Sequence, residues 1–436
     1  MVSLIAVSGR ACCSSCCSSL RAVARDRLLP CRAPRLAPFT TTLRNSARSF
    51  HSTWTHASDS VLDPPSRISY DVAVSSSGKG RRFHPVRNTY NFDRTQHDAL
   101  GLTTKEESPF IRRRKRPDSG ADAFFVSKIG QHDPTNSAVA FAVADGVGGW
   151  EESRVDPGEF SHGLCSHMAQ SALAWESPAG ILWPKNLMQM GYDRVVEDDL
   201  IRAGASTASV GVALDDGRVE LANLGDSGSV LLRRAAVHHY STAQTHGFNT
   251  PYQLSIIPSY MRRQAAIFGG AYLEDLPHDA AITSLRMQHG DVLMLATDGV
   301  FDNLNNGDIL KLVTRQMLLT GAWAGSPPDF SIKVSDKFSQ MTKPGGLANL
   351  LSPPPPPDSN AESQTDALQP FTLSSLLATS LVSKAKLASL NPRRDSPFAK
   401  EYQRRYPQDH FHGGKVDDIC VLIVVAVDEN RQPRGS

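Results

Sequence analysis

The stretch Val139-Ala140-Phe141-Ala142-Val143-Ala144-Asp145-Gly146-Val147-Gly148-Gly149 runs from apolar residues directly into an aspartate followed by glycines. Residues 139–144 are typical of a buried β-strand. A carboxylate at the end of such a strand loses solvation energy unless a positive charge meets it. Gly146 has no Cβ, so its backbone carbonyl can approach a ligand closely. The stretch therefore predicts a sheet edge that carries a charged site.

Two later segments repeat this pattern of an aspartate beside glycine or a second acid. They are residues 295–302, which contain Asp298, and residues 413–419, which contain Asp417. Brought together, Asp145, Asp298 and Asp417 would repel one another unless a cation lay between them. Hard carboxylate oxygens suit Mg²⁺ or Mn²⁺. Two such ions about 4 Å apart can ionise a shared water for in-line attack on phosphorus, and we expect Asp145 to bridge them.

The order of the predicted elements favours a β-sandwich covered by helices, an α+β fold. Asp215-Asp216-Gly217 is a strong hairpin signal, and simple βαβ alternation does not fit the chain. Strands brought together in the sheets could place distant aspartates at one rim. Strands are predicted at 66–76, 123–129, 139–144, 206–214, 219–223, 229–233, 236–241, 280–286, 291–297 and 419–427, and helices at 161–175, 186–203, 308–319 and 374–390.

The first 57 residues differ from the rest of the chain in charge. They contain eight arginines and one acid, Asp26, and so carry +7, whereas the whole chain carries +2, which leaves −5 for the remainder. This segment is rich in Ser and Thr and lacks a compact apolar core, which favours a mitochondrial transit peptide for the matrix over a disordered basic tail. The mildly acidic remainder argues against a nucleic-acid binder.

The rest of the chain is predicted to form one soluble domain with two irregular segments. Residues 79–118 are interpreted as a solvated basic loop, and the proline-rich residues 322–370 as a disordered insertion. No apolar stretch approaches the roughly 18 residues that span a bilayer, so no transmembrane segment is expected. The predicted parts are a linker at 58–65, the domain at 66–428 and a tail at 429–436.

Several segments give the chain a resemblance to the metal-dependent protein phosphatases of type 2C, and within them to the mitochondrial branch. The resemblance implies a four-layer αββα sandwich that removes phosphate from Ser and Thr of phosphoproteins. It also implies two Mg²⁺ or Mn²⁺ ions, and a third ion in some members. We expect the protein to be a monomer. The matching segments are residues 145–150, 155–161, 205–208, 224–228, 244–254, 296–303 and 417–419.

The resemblance also implies roles for individual residues. Asp145 would bridge both metals with the help of the Gly146 carbonyl, and Asp298 and Asp417 would bind one of the pair. Asp122 matches the second acid of an early family motif. The two remaining candidates are Asp226, for a weaker third metal or as a turn aspartate, and Arg116, for phosphate or as part of the solvated loop.

Two departures from the family pattern leave alternatives open. Ala121 stands where the family usually has an acid, so metal affinity should fall. Val147 replaces a histidine that has been proposed as a proton donor, so the proton must come from water or another group. The main alternative is a catalytically weak pseudophosphatase that binds phosphoproteins as a regulatory module. A hydrolase of small phosphorylated metabolites is a further possibility.

Overall fold

The structure is a computed structural model that describes residues 67–102, 108–130, 137–176, 180–326, 331–347 and 371–431. Within these residues, two six-stranded antiparallel sheets form the centre of the fold. In spatial order, the first sheet consists of Ala236–Tyr240, Gly228–Arg233, Val292–Ala296, Ile419–Asp428, Ile68–Ser77 and Thr89–Phe92, and the second of Ala281–Arg286, Arg218–Leu224, Ala208–Ala213, Val139–Asp145, Asp122–Lys128 and Ala99–Leu100. The transit peptide and the linker predicted for residues 1–65 lie outside the described residues.

The strands of the first sheet are β1 (Ile68–Ser77), β2 (Thr89–Phe92), β9 (Gly228–Arg233), β10 (Ala236–Tyr240), β15 (Val292–Ala296) and β18 (Ile419–Asp428). Those of the second are β3 (Ala99–Leu100), β4 (Asp122–Lys128), β5 (Val139–Asp145), β7 (Ala208–Ala213), β8 (Arg218–Leu224) and β14 (Ala281–Arg286). Short strands pair outside these sheets: β6 (Gly204–Ser206) with β13 (Leu254–Ile256), β11 (Thr245–Gly247) with β12 (Thr250–Pro251), and β16 (Trp323–Ser326) with β17 (Ser331–Val334).

Helices cover both outer faces of the sandwich. The α-helices span Pro109–Lys115, Pro157–Leu173, Pro184–Val196, Ser259–Ile267, Asp298–Phe301, Asn306–Leu319, Phe338–Met341, Leu373–Ser389 and Pro397–Arg405. Short 3₁₀ helices span Gly148–Ser153 and Pro277–Asp279. No helix within the described ranges is both long enough and apolar enough to cross a membrane.

The core lies in three apolar layers because the central strands are apolar on both faces. Along β18, Leu422 points into the layer between the sheets, whereas its neighbour Ile423 packs under the helices of the first sheet. Along β5, Phe141 faces the layer between the sheets and Ala142 faces the helices of the second sheet. This alternation follows from the two-residue period of a strand. The predicted α+β, four-layer αββα sandwich is confirmed.

Most predicted elements are present, with shifted ends. The helix predicted at 161–175 begins four residues earlier, because Asp156 accepts a hydrogen bond from Gly158 N (3.1 Å) and Pro157 occupies the first turn. The strands β14 and β15, predicted on either side of the turn at residues 288–290, belong to different sheets. The turn therefore carries the chain across the sandwich.

The prediction of disorder throughout residues 322–370 is wrong for the described part of that segment. Strands β16 and β17 form a hairpin there, and Trp323 is 1% exposed in the core. Its indole Nε1 donates a hydrogen bond to Gly290 O (3.1 Å). Trp323, Phe338 and Met341 supply buried apolar surface that the proline-rich average conceals. Residues 348–370, which contain six prolines, lie outside the described residues.

The description of residues 79–118 as a solvated loop also needs correction. Its described residues include β2, β3 and the helix Pro109–Lys115. Ser108 caps the N-terminus of that helix, and its side chain accepts a hydrogen bond from Ile111 N (3.4 Å). Within it, Arg112 is buried against Glu159 (3.4 Å). A buried arginine with a carboxylate partner fixes this helix to the domain.

Candidate metal centre

The ends of β4 and β5 place two predicted acids side by side. Asp122 lies directly opposite Asp145 in the antiparallel register. Asp122 is fully buried, and its Oδ2 accepts a hydrogen bond from Thr297 Oγ1 (2.7 Å). The same Thr297 hydroxyl accepts a hydrogen bond from Cys420 N (3.0 Å). Thr297 thus ties the second sheet to the ends of β15 and β18, so the rims of both sheets meet at these acids.

The backbone around Asp145 is held by the last residue of β6 and by the residue that follows it. Asp145 N donates to Thr207 Oγ1 (3.1 Å), and Asp145 O accepts from Thr207 N and Ser206 Oγ (both 2.9 Å). The next residue must be glycine, because a Cβ on Gly146 would lie 2.6 Å from Pro157 O. The absence of a Cβ at Gly146 therefore permits close packing against Pro157, in addition to the close approach of a ligand that the sequence predicts.

A lysine lies among the predicted acids. Asp298 begins the short helix Asp298–Phe301, and Asp417 lies just before β18. Lys415 Nζ is 2.6 Å from Asp298 Oδ2, 2.6 Å from Asp302 Oδ2 and 3.2 Å from Asp417 Oδ2. Lys79 Nζ is 3.4 Å from the other oxygen of Asp417. One buried ammonium therefore balances part of the negative charge of the cluster.

The remaining carboxyl groups are strongly perturbed. Burial raises the pKa of Asp145 well above its usual value, and the charges of Asp298 and Asp122 raise it further. The pKa of Asp122 is likewise raised well above its usual value, mainly by burial and next by the charge of Asp418. Burial also opposes ionisation of Asp298, but Lys415 holds its pKa below the usual value. Additional positive charge would allow Asp145 and Asp122 to ionise together.

Asp226 faces the same cluster from the turn after β8. Burial raises its pKa well above the usual value, and Asp298 and then Asp302 add to that effect. One carboxyl oxygen of Asp226 and one of Asp122 are buried without a hydrogen-bond partner among the described residues. Buried acceptors of this kind are rare unless an ion or water satisfies them. The five predicted acids, Asp122, Asp145, Asp226, Asp298 and Asp417, are brought into mutual electrostatic contact.

These carboxylates fit a hard divalent cation in chemical type and charge. All are oxygen donors, and the unsatisfied oxygens of Asp122 and Asp226 provide acceptor positions. Across the described ranges, no three His, Cys, Asp or Glu side chains are already arranged to hold an ion. The ammonium of Lys415 lies within 3.2 Å of both Asp298 and Asp417.

Arg116 is not placed to bind phosphate as predicted. Its guanidinium is 3.0 Å from Asp156 Oδ2 and 2.6 Å from Glu159 Oε1, and its side chain is 7% exposed. Both carboxylates belong to the start of the helix Pro157–Leu173. Arg116 therefore joins the helix Pro109–Lys115 to that helix.

Sequence reasoning missed three residues of the centre. Asp302 lies four positions after Asp298, a spacing that puts both on one helix face, which is the signal that could have identified it. Asp418 holds the backbone, accepting hydrogen bonds from Ala121 N (2.8 Å) and Lys79 N. Lys415 carried no local signal, because a lysine two residues from an acid is usually exposed.

Val147 lies beside the acids without a titratable group. It packs against a small apolar cluster that includes Trp150, and the Trp150 ring stacks on Tyr272 with centroids 5.9 Å apart. Val147 N donates to Ala205 O (2.9 Å). The position that the family resemblance links to a proton donor is therefore apolar here.

Comparisons with known proteins show which proteins this chain is similar to. The family model described as "Protein phosphatase 2C" matches residues 115–325. "Protein phosphatase 2C homolog 7, mitochondrial" of Saccharomyces cerevisiae is 30% identical over 76% of this chain and 82% of its own length. "Protein phosphatase PTC7 homolog fig" of Drosophila virilis is 33% identical over 74% of this chain and 84% of its own length. Among solved structures, the photosystem II phosphatase PBCP aligns with a TM-score of 0.48 and 22% identity, over 73% of this chain and 95% of that one.

Proposed function

Because this chain belongs to the type 2C protein phosphatases, which are serine/threonine phosphatases, we propose that it hydrolyses phosphoserine and phosphothreonine in mitochondrial phosphoproteins. We further propose that the reaction uses a water activated by two Mg²⁺ or Mn²⁺ ions. A third, weaker ion beside Asp226 belongs to the same proposal.

The observation that carries the proposal is the convergence of acids from distant parts of the chain at one rim. Asp122 and Asp145 lie opposite each other on adjacent strands, and the charges of Asp298 and Asp417 raise the pKa of both. Assembling so many buried carboxylates is unfavourable unless a function requires them. A divalent-cation site provides such a function.

The chain's own residues would hold the ions and fix their surroundings. Asp145 would hold both ions, the Gly146 carbonyl would supply a further oxygen, and Asp298 and Asp417 would bind one of the pair. When bound, the cations supply the positive charge that activates a water and offsets charge on the phosphoryl oxygens. Thr297 holds Asp122, and Thr207 holds the backbone of Asp145, so neither acid depends on a mobile loop for its position.

Lys415 and Ala121 favour the alternative of a weak or inactive phosphatase that binds phosphoproteins. Lys415 already neutralises part of the charge on Asp298 and Asp417, and Ala121 provides no carboxylate. Both features predict that a high metal concentration is needed. Both features lower the affinity for metal ions, but neither removes Asp145, Asp298 or Asp417. Catalytic turnover is therefore our leading proposal.

A metal-titrated assay on the purified protein tests the function. We expect hydrolysis of a phosphothreonine peptide that depends on Mn²⁺ or Mg²⁺ in the millimolar range, with much slower hydrolysis of phosphorylated sugars. Intact peptide binding without turnover at any metal concentration would support the pseudophosphatase. Preference for the phosphorylated sugars would support the hydrolase of small metabolites.

The location follows from the N-terminal composition and the relatives. The predicted mitochondrial location is confirmed at the level of the organelle by the yeast relative, which is named as mitochondrial. Within the organelle we propose the matrix, since the arginine-rich segment resembles a matrix-targeting sequence. We also propose that the phosphatase acts as a monomer, which light scattering of the purified protein tests.

A further inference from the structure

A basic pocket lies beside the metal centre and has no part in the chemistry proposed above. Its volume is about 480 Å³, and its walls include Arg82, Arg87, Lys115, Tyr90 and Asp118. Asp118 is paired with Arg81, so it does not balance the pocket's other cations. The pocket is therefore rich in positive charge, although the domain as a whole is mildly acidic.

Arg82 and Arg87, which contribute positive charge to the pocket, are available to a ligand. Arg82 and Arg87 are exposed. Neither has a carboxylate within ion-pair distance among the described residues. Guanidinium groups bind carboxylate and phosphate oxygens through paired hydrogen bonds. The chemistry of the pocket thus suits an anion, and its volume exceeds what a single carboxylate needs.

The position of the pocket links it to the substrate. Lys79, three residues before Arg82, contacts Asp417 and Asp418 of the centre. Asp118 lies four residues before Asp122. At no more than about 3.6 Å per residue, the Cα of Arg82 lies within roughly 11 Å of the Cα of Lys79, and the Cα of Asp118 within roughly 14 Å of the Cα of Asp122. An extended peptide covers that distance in three or four residues.

We propose that this basic pocket binds an acidic or phosphorylated residue three or four positions from the phosphoserine or phosphothreonine that is hydrolysed. The inference rests on the proposed phosphatase function and adds a class of substrate to it. The basic pocket gives the phosphatase a preference for phosphopeptides that carry negative charge beside the phosphorylated residue. Because the pocket is open to solvent, salt weakens that preference.

The test compares three substrates with the full-length protein. They are p-nitrophenyl phosphate, a phosphoserine peptide with glutamates three and four residues away, and the same peptide with alanines at those positions. In the Arg82→Ala/Arg87→Ala double variant, KM for the acidic peptide should rise about tenfold, as expected for the loss of charge-assisted hydrogen bonds. The other two substrates should be unaffected.

A matched control removes the same charge elsewhere. Arg263→Ala/Arg315→Ala takes away two exposed arginines that do not line the pocket, and it should leave all three substrates unchanged. An equal loss on all substrates in the pocket variant, or no preference for the acidic peptide in the wild type, would overturn the proposal. Binding of wild type, but not the pocket variant, to phosphatidylcholine vesicles containing cardiolipin, without peptide preference, would overturn it in favour of a membrane surface.

Peptide binding separates this proposal from the proposed function. Fluorescence anisotropy of the labelled acidic phosphopeptide measures affinity whether or not turnover occurs. In one outcome, the wild type hydrolyses none of the substrates and still binds the acidic peptide about tenfold more tightly than the double variant does. That result would contradict the proposed function but support the proposed role of the pocket in peptide binding. If turnover is normal and the two affinities are equal, the pocket proposal fails alone.

Discussion

The ammonium of Lys415 lies 2.6 Å from Asp298 Oδ2, and both side chains are largely buried. Burial disfavours the charged lysine, yet Asp298, Asp302 and Asp417 hold its pKa well above the usual value. The chain therefore carries its own cation within the cluster that we propose as a metal centre. A resident ammonium and a divalent ion compete for Asp298 and Asp417, because both are attracted to the same carboxylates.

Lys415→Met should lower the stability of the metal-free protein and increase the stabilisation that Mn²⁺ provides. Removing one partner of a buried ion pair costs about 3 kcal/mol, since it leaves the carboxylates uncompensated. Thermal unfolding with and without Mn²⁺ measures both effects. The exposed Lys400→Met serves as the control. A metal-induced rise in Tm equal to that of the wild type would contradict the competition.

Asp145→Asn and Asp298→Asn should each reduce kcat by at least about 10²-fold while the fold is retained, because each removes charge from the proposed centre. Asp145→Asn should also raise the stability of the metal-free protein, since one repelling carboxylate is lost. Phosphopeptide hydrolysis and circular dichroism provide the measurements. Activity near the wild-type level in both variants would show that the centre lies elsewhere.

Gly299→Ala should destabilise the domain by about 2 kcal/mol, in the range found for overpacked cores. A Cβ at this position would overlap the carbonyl oxygen of Asp418, so the helix Asp298–Phe301 could not lie against the start of β18. The affinity for metal ions should fall together with the stability, because the contact between Gly299 and Asp418 positions Asp298 next to Asp417. In Gly325→Ala the new methyl group enters open space, and no change in Tm is expected.

Asp71 should make stability fall as pH rises from about 4 to about 7. Burial raises its pKa to about 7, although hydrogen bonds from Ser374 N and Oγ oppose that shift. The folded state then binds a proton that the unfolded state has released, so the stabilisation is complete below this window and lost above it, by as much as ~4 kcal/mol. Asp71→Asn should reduce this pH dependence of the free energy of unfolding, which urea unfolding at several pH values measures. The exposed Asp336→Asn serves as the control and should leave the pH dependence unchanged.

Removal of residues 1–57 should leave a fluorescent fusion in the cytosol, because the arginine-rich, acid-poor segment is the predicted targeting signal. Microscopy with a mitochondrial marker provides the measurement. A fusion of residues 1–57 alone to the same fluorescent protein should enter mitochondria. Import of the truncated protein would show that the signal lies elsewhere in the chain.

The sequence alone determined the sandwich and the acids of its rim. The sandwich was predicted from local patterns, namely strand periodicity, the Asp215-Asp216-Gly217 turn and the apolar run of β18. Local patterns can be recognised in the sequence before the packing is known. Asp145 and Asp298 could be identified because each follows an apolar run and precedes a glycine, and Asp417 because it stands beside a second acid just before an apolar run. The cost of burying a carboxylate made those positions informative.

Only the tertiary structure decided which partners these acids have. Lys415 reaches Asp298 across 117 positions, and Arg116 turns to Asp156 and Glu159 rather than to a phosphate site. The strands β14 and β15, neighbours in sequence, separate into different sheets. Electrostatic pairing depends on distances that arise only when remote segments pack together, so no local pattern of charge could specify it.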